Sequence, residues 1–128
     1  MAKLSGVCLE VVEKAEWIAI ATAGATGPHV VAVWGDYMRL LGVTGEYLRF
    51  PVGGMQLTEA NLQSDSRVEL ICATRQVMGP HGPGRGCSIL GSAKVVKEEK
   101  ELNKVRAHFP WARGVLVVKM DSFKPQPA

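Results

Sequence analysis

The stretch PVGGMQLTEAN, residues 51–61, decides how the rest of the chain is interpreted. It follows an apolar, extended run that ends at Val52, passes through Gly53 and Gly54, and enters a helix-forming segment. A strand that breaks at a glycine pair and becomes a helix leaves free backbone N–H groups at the positive end of the helix dipole. Such a turn binds phosphate without any particular charged side chain. A plain strand-to-helix turn has the same pattern, because glycine pairs are common in turns.

Upstream of this turn, hydrophobic periodicity predicts one helix followed by short strands. The helix covers residues 5–16, with Ser5 as its N-cap. The strands are predicted over residues 17–23, 29–34 and 46–52, with a further extended segment over residues 37–41. None of these segments alternates with helices in the regular way that a parallel α/β sheet requires.

Downstream, a short helix ending near Ser64 is predicted to lead into more strands and one surface helix. The eight residues 79–86 contain four glycines and two prolines and indicate a tight, irregular loop. Strands are predicted over residues 67–73, 87–96 (bent at Gly91) and 114–120, with a helix over 97–108 and a loose tail from residue 123 onward. About six short strands in so small a chain favour a mostly β fold, a closed antiparallel barrel with peripheral helices.

Composition limits the possible classes of protein. The 128 residues are enough for one domain, predicted over residues 1–128, and 47% hydrophobic with 21% charged residues is a globular composition. No apolar run reaches the ~20 residues of a membrane span. Three widely spaced cysteines indicate neither a disulfide framework nor a zinc site, so we expect a reducing, cytoplasmic location and no membrane association.

The sequence contains no pattern typical of a catalytic acid, base or nucleophile. No pair among His29, His81 and His108 has metal-ligand spacing, and no nucleophile elbow is present. A protein that binds a reactive cofactor needs no such residues, because the cofactor carries the chemistry. The net charge of +3 is spread over scattered Lys and Arg residues, and the strands lack aromatics interleaved with basic residues. We therefore expect no nucleic-acid partner.

Several motifs, in this order, resemble the pyridoxamine-phosphate-oxidase-like group of FMN-binding split-barrel proteins. Within that group the sequence is most similar to the small FMN-binding proteins of sulfate-reducing bacteria. The motifs are GPHVVAVW (27–34), PVGGM (51–55), TEAN (58–61), GPGRG (82–86), GSA (91–93) and WAR (111–113). The resemblance implies a six-stranded antiparallel split barrel with Greek-key connections, which forms a homodimer with flavin mononucleotide (FMN) at the subunit interface.

The resemblance also implies which residues bind FMN. Trp34 and Tyr37 should lie near the isoalloxazine ring, with Trp111 contributed by the partner subunit. The backbone of Ala32 and Val33 should run along the flavin. The remaining positions are the ring edge and ribityl chain (Pro51, Val52, Gly53, Gly54 and Met55), the phosphate (Gln56, Leu57 and Thr58) and the interface side of the site (Gly84 and Arg85).

One departure from the group concerns the phosphate. Relatives often have a Lys at the position of Leu57, and a basic residue at Gln56 is common in the wider group. Phosphate binding here would rest on backbone N–H groups, the Thr58 hydroxyl and an arginine from elsewhere, such as Arg49 or Arg85. The resemblance implies an FMN-binding flavoprotein with an electron-transfer or general redox function. Its expected partners include a redox protein. The alternatives are a flavin-dependent oxidase or reductase with a small substrate, and a split barrel that has lost its cofactor.

Overall fold

Six strands form one antiparallel sheet in the computed structural model, which describes residues 2–127. They are β1 (Trp17–Gly24), β2 (Gly27–Trp34), β3 (Tyr47–Val52), β4 (Arg67–Gly79), β5 (Gly82–Val96) and β6 (Gly114–Pro127). Their order in the sheet is β2-β1-β4-β5-β6-β3, and the sheet is curled into a half-barrel. Because β3 lies beside β6 while β4, β5 and β6 follow one another, the connections have Greek-key form. The expected mostly β split barrel is confirmed. The sheet differs from the closed barrel that the strand count favours, because β2 and β3 form its two edges in residues 2–127.

Four helices accompany the sheet within the described residues. They are α1 (Gly6–Lys14), α2 (Gly35–Leu41), α3 (Gln56–Ser64) and α4 (Glu99–Arg106). Leu102 and Val105 of α4 are buried with Phe109 and Ala112 in a small cluster against β6. None of the helices in residues 2–127 combines the length and apolar character needed to cross a bilayer.

The main core fills the concave side of the sheet, because alternate residues of each strand point there. In β1 the buried residues are Ile18, Ile20 and Thr22, while their neighbours are at least partly exposed. Pairs such as Cys72 opposite Cys87 and Leu70 opposite Ile89 continue this layer across β4 and β5. The predicted bend in the long strand is confirmed by a register shift between Leu90 and Gly91 where β5 pairs with β6.

The prediction that residues 37–41 are extended is wrong, because Gly35–Leu41 form α2. This helix is held by a contact distant in sequence. Arg39 donates hydrogen bonds of 3.0 and 2.9 Å to the carbonyls of Val12 and Ala15 at the end of α1. The carbonyls of a helix end need such donors, so α1 and α2 stabilise each other.

Two further predictions are corrected by the pairing of the long strands. The glycine-rich residues 79–86 are not an irregular loop, because β4 runs to Gly79 and β5 starts at Gly82 in a tight hairpin. The tail is not loose as far as Pro127, because residues 123–127 pair with residues 85–89 of β5. Ala128 lies outside the described residues.

Candidate functional site

The glycine turn joins β3 to α3 as the sequence predicts. Gly53 and Gly54 form a bend, and Met55 then adopts a left-handed conformation with φ 59° and ψ 32°. A non-glycine residue in this conformation is uncommon and indicates a turn that its surroundings hold in place. Within residues 2–127, the backbone N–H groups of residues 54–58 donate no hydrogen bond to a backbone or side-chain acceptor. Five consecutive free donors thus lie at the start of α3.

Thr58 adds a buried polar atom beside these donors. The residue is fully buried, and its Oγ1 has no hydrogen-bond partner among the described residues. Buried hydroxyls are normally paired, and an unpaired one costs about 1–3 kcal/mol. The neighbouring Gln56 and Leu57 are exposed, and 55% of the Leu57 surface faces solvent. An anion at the helix start would meet one hydroxyl and several N–H groups.

Arg113 holds this turn from the far end of the sequence. Its Nε donates to the Gly53 carbonyl at 2.8 Å and its Nη2 donates to the Gly54 carbonyl at 2.6 Å. Its backbone N–H donates to the Val52 carbonyl at 2.8 Å. Three consecutive carbonyls of the turn are therefore bonded to a single residue.

Glu59 completes the arrangement as a carboxylate between two cations. Its Oε1 accepts a hydrogen bond from Arg113 Nη1 at 2.7 Å, and its Oε2 lies 2.8 Å from Lys97 Nζ. The hydrogen bond from Lys97 and that from Arg113 hold the pKa of Glu59 below its ordinary value. The three side chains carry a net charge of +1 beside the helix start when all are ionised.

Trp111 packs against the turn of its own chain. A Cβ atom at Gly53 would lie 2.9 Å from Trp111 Cε3, so only glycine permits this approach. The Trp111 ring centroid is 5.8 Å from that of Tyr37 and 5.6 Å from that of Phe109. Half of the Trp111 surface remains exposed, which leaves a ring face for another molecule. That Trp111 serves the flavin of a partner subunit stays a prediction.

Trp34, Ala32 and Val33 lie together at the end of β2. They line a cleft of about 340 Å³ with Trp17, which is directly opposite Trp34 on β1. Trp17 and Trp34 are each about half exposed, whereas the Val33 side chain faces the core. Because Gly35 donates a backbone hydrogen bond to Glu16, the two tryptophans form a close, non-hydrogen-bonded pair.

Gly84 and Arg85 are placed apart from the glycine turn. Gly84 lines a larger cleft of about 670 Å³, whose other residues are Lys14, Glu16, Trp17, Ala73, Thr74, Arg75, Gln76 and Pro83. The Nε atom of Arg85 is buried without a hydrogen-bond partner among the described residues. Neither Gly53 nor Thr58 lines this cleft. Arg49 donates instead to Thr44 Oγ1 at 2.7 Å.

The residues that support the turn were not predicted from the sequence. Arg113 lies 60 residues from Gly53, so no local pattern connects them. The motif WAR contained Arg113 and TEAN contained Glu59, but neither was assigned a role. Trp17 was assigned only to a strand, because its exposure cannot be seen in the sequence.

Metal ligands and cysteines are two further kinds of side chain that could form a site. No group of three or more His, Cys, Asp or Glu side chains there is placed to hold a metal ion. The three cysteines are free and buried. Burial raises the pKa of the Cys72 thiol to about 11 and raises that of Cys87 as well, so both thiols are held protonated.

Known proteins resemble this chain along nearly its whole length. The FMN-binding protein of Nitratidesulfovibrio vulgaris (strain Miyazaki F) is 41% identical over 119 residues, which cover 93% of this chain and 95% of that protein. Among solved structures, HupZ of Group A Streptococcus superposes with a TM-score of 0.78 at 13% identity, covering 98% of this chain and 96% of that one. A protein of Lactobacillus delbrueckii, described as a putative pyridoxamine 5'-phosphate oxidase, has a TM-score of 0.67 at 18% identity, with 95% and 93% covered.

The structures of HupZ and of the Lactobacillus protein share the fold of this chain. The family model for pyridoxamine 5'-phosphate oxidase matches residues 4–124. This match spans every strand and helix from α1 to the greater part of β6. The chain therefore belongs to the pyridoxamine 5'-phosphate oxidase family.

Proposed function

We propose that this chain is an FMN-binding flavoprotein with a redox function, which holds the FMN phosphate at the start of α3. The observation that carries the proposal is the buried Thr58 hydroxyl, unpartnered within residues 2–127 and set beside five free backbone N–H groups. The Thr58 hydroxyl and the N–H groups of residues 56–58 match the acceptor oxygens of a phosphate dianion, and the N–H groups of Gly54 and Met55 would meet the ring edge and ribityl chain. The 41% identical relative that is named an FMN-binding protein supports the same ligand.

The residues around the turn fit a flavin. A Cβ at Gly54 would meet no heavy atom within 4 Å, so the chain leaves open space at this point. Pro51 and Val52 are buried at the end of β3 and fix where the turn begins. The exposed indoles of Trp34 and Trp111 offer apolar surface for a flat ring. When bound, FMN supplies the electron and proton exchange, while these residues bind it, orient it and exclude water.

Neutral side chains at Gln56 and Leu57 make the phosphate site depend on hydrogen bonds. Leu57 is exposed at the helix start, where a lysine would place its ammonium near the anion. Charge-assisted hydrogen bonds are roughly twice as strong as neutral ones. We therefore propose weaker FMN binding than in relatives that carry a lysine at this position.

We propose that the protein acts as a homodimer with FMN at the interface. The convex side of the sheet, which we call the outer face, carries the half-buried Ala19 and exposed apolar residues on four adjacent strands: Trp17, Val30, Ala32, Trp34, Ile71 and Leu90. Their registers place them on one side, since Ala19 is opposite both Ala32 and Ile71. Glu69 separates Leu90 from the rest of this apolar surface. An exposed apolar patch of this kind is typical of a protein interface.

A second candidate function is a flavin-dependent oxidase or reductase with a small substrate. The cleft of about 670 Å³ favours it, since this cleft shares Trp17 with the Trp34 cleft and carries two cations, Lys14 and Arg75. In the first function the electrons go to a redox protein partner, and in the second they go to a ligand in this cleft. We place either function in the cytoplasm, in keeping with three free thiols.

Absorbance of the reconstituted protein tests the proposal. The purified chain, mixed with FMN and desalted, should retain the visible flavin bands and lose them reversibly on reduction with dithionite. Reoxidation by an added redox protein alone would favour the electron carrier. Turnover only with a defined small molecule would favour the enzyme. A colourless protein after desalting would contradict the proposal and favour a split barrel that has lost its cofactor.

A further inference from the structure

We infer that Arg113 is a positioning residue, which fixes the glycine turn so that its N–H groups point at the ligand. Its guanidinium donates to the carbonyls of both Gly53 and Gly54, at 2.8 and 2.6 Å. The peptide unit is planar and trans, so each N–H points opposite to the carbonyl of the same unit. With the Gly53 and Gly54 carbonyls directed at Arg113, the N–H groups of Gly54 and Met55 are directed away from it.

Glu59 fixes the orientation of the guanidinium. Arg113 Nη1 donates to Glu59 Oε1 at 2.7 Å, which leaves the Nε and Nη2 donors facing the turn. The planar fork of arginine is suited to this, because it presents several donors in a fixed geometry. Glu59 itself lies in the first turn of α3, so the same contact ties the helix start to the end of β3.

Lys97 provides a charge without touching the turn. It lies 2.8 Å from Glu59 Oε2, and 56% of its side chain is exposed. Arg113 and Lys97 thus share one carboxylate, but only Arg113 bonds to turn carbonyls. This difference makes Lys97→Met a matched control that removes a positive charge and leaves the turn's hydrogen bonds intact.

The inference rests on the proposed function, and it differs from a direct role of Arg113 in binding phosphate. A direct role depends on charge and concerns only a phosphorylated ligand. A positioning role depends on the two-carbonyl fork and concerns any flavin that follows the turn, phosphorylated or not. FMN and riboflavin, which lacks the phosphate, therefore separate the two roles.

The test measures dissociation constants of FMN and riboflavin by flavin fluorescence for the natural chain, Arg113→Met, Arg113→Lys and Lys97→Met. We expect Arg113→Met to weaken both ligands by a similar factor, about tenfold or more. Arg113→Lys should restore little, because a lysine cannot present the fork, and Lys97→Met should change either constant by less than about threefold. Loss of FMN binding alone, with rescue by Arg113→Lys, would overturn the inference.

A flavin-free readout keeps the inference separate from the proposed function. Backbone ¹⁵N relaxation of Gly54 and Met55 should give order parameters of about 0.85 in the natural chain and below about 0.6 in Arg113→Met. Unchanged order parameters would overturn the positioning role even where flavin binds. A third result is a natural chain that binds no flavin, while its Gly54 and Met55 amides are rigid and become mobile in Arg113→Met. That result would support the positioning role of Arg113 and contradict the proposed function.

If Arg113→Met does not fold, Glu59→Gln serves in its place. It keeps the size of the side chain and removes the charge that orients the guanidinium. We expect a smaller loss of order at Gly54 and Met55 and a weakening of both flavins of about threefold. A rigid turn with unaltered binding of both flavins would contradict the inference.

Discussion

Thr58 has a hydroxyl that is buried inside the protein and has no hydrogen-bond partner in residues 2–127. In the ligand-free chain this hydroxyl costs free energy, whereas a phosphate oxygen would satisfy it. Thr58→Val, which has nearly the same shape, should therefore leave the free energy of unfolding of the ligand-free chain unchanged or raise it by about 1 kcal/mol. The same substitution should weaken FMN binding roughly tenfold or more, since a hydrogen bond to a charged group is lost.

Thr58→Ser is the matched control, because it retains the hydroxyl. Chemical denaturation measures the stability of the ligand-free variants, and fluorescence titration measures their FMN affinity. Riboflavin affinity should not change in Thr58→Val. A Thr58→Val chain that is less stable but binds FMN normally would show that the hydroxyl has a structural role only.

Glu59 gives the stability of the fold a defined pH dependence. Lys97 and Arg113 hold its pKa in the folded chain below the ordinary value of 4.5. A carboxylate whose pKa is lowered by folding stabilises the fold above its unfolded pKa, and this stabilisation is lost as the pH falls through the folded pKa. The difference in unfolding free energy between the natural chain and Glu59→Gln should therefore be constant at neutral pH and shrink below about pH 4.5.

Denaturant titrations between pH 3 and pH 7 would measure that difference. Asp65 also titrates in the acid range, since Arg67 lowers its pKa to about 2, but it is present in both chains and cancels. A difference that stays the same at every pH would mean that Glu59 contributes through packing and not through its charge.

Among the elements, the C-terminal end of β6 is held to the sheet by its pairing with β5. Residues 123–127 pair with β5, and Phe123 packs against the core. Removing residues 123–128 deletes these hydrogen bonds and exposes part of β5. We expect a loss of about 2–4 kcal/mol in the free energy of unfolding, measured by chemical denaturation. Phe123→Ala removes the side chain only and should cost less; an equal cost would mean that the strand pairing contributes little.

The elements that the sequence predicts correctly are those whose causes are local. The strand–turn–helix at residues 47–64 follows from an apolar run, a glycine pair and helix-forming residues that lie next to one another. The end of β6 was missed because Pro125 argues against a strand. Residues beyond Lys119 do not pair with β3, so this part of β6 is an edge, where proline is tolerated.

The elements and contacts that could not be predicted depend on distant residues. Helix α2 is a seven-residue segment whose Arg39 bonds to the end of α1, more than 20 residues away. The hydrogen bonds from Arg113 to the turn likewise form only when β6 lies beside β3. The turn itself was therefore predictable from the sequence, whereas Arg113 and Glu59, which hold it, were not.

At the scale of the whole molecule, the outer face should form the dimer interface. Ile71 lies on it and is 49% exposed. Ile71→Asp should convert a dimer into a monomer, because a buried, unpaired carboxylate is costly at an interface. Light scattering coupled to size-exclusion chromatography measures the mass of each chain in solution.

Leu40→Asp is the control for this change. Leu40 is 56% exposed but lies on α2, away from the outer face. This variant should remain a dimer. A natural chain that is monomeric at micromolar concentration, or two variants that behave alike, would contradict the assignment of the outer face.

Calorimetric titration of the flavin-free protein shows whether the start of α3 binds the phosphate of FMN. FMN should bind with one site per chain, and riboflavin should bind at least tenfold more weakly, since it lacks the group that meets the Thr58 hydroxyl and the N–H groups of residues 56–58. Equal affinity for FMN and riboflavin, or no heat of binding for either, would show that no phosphate binds at this helix start.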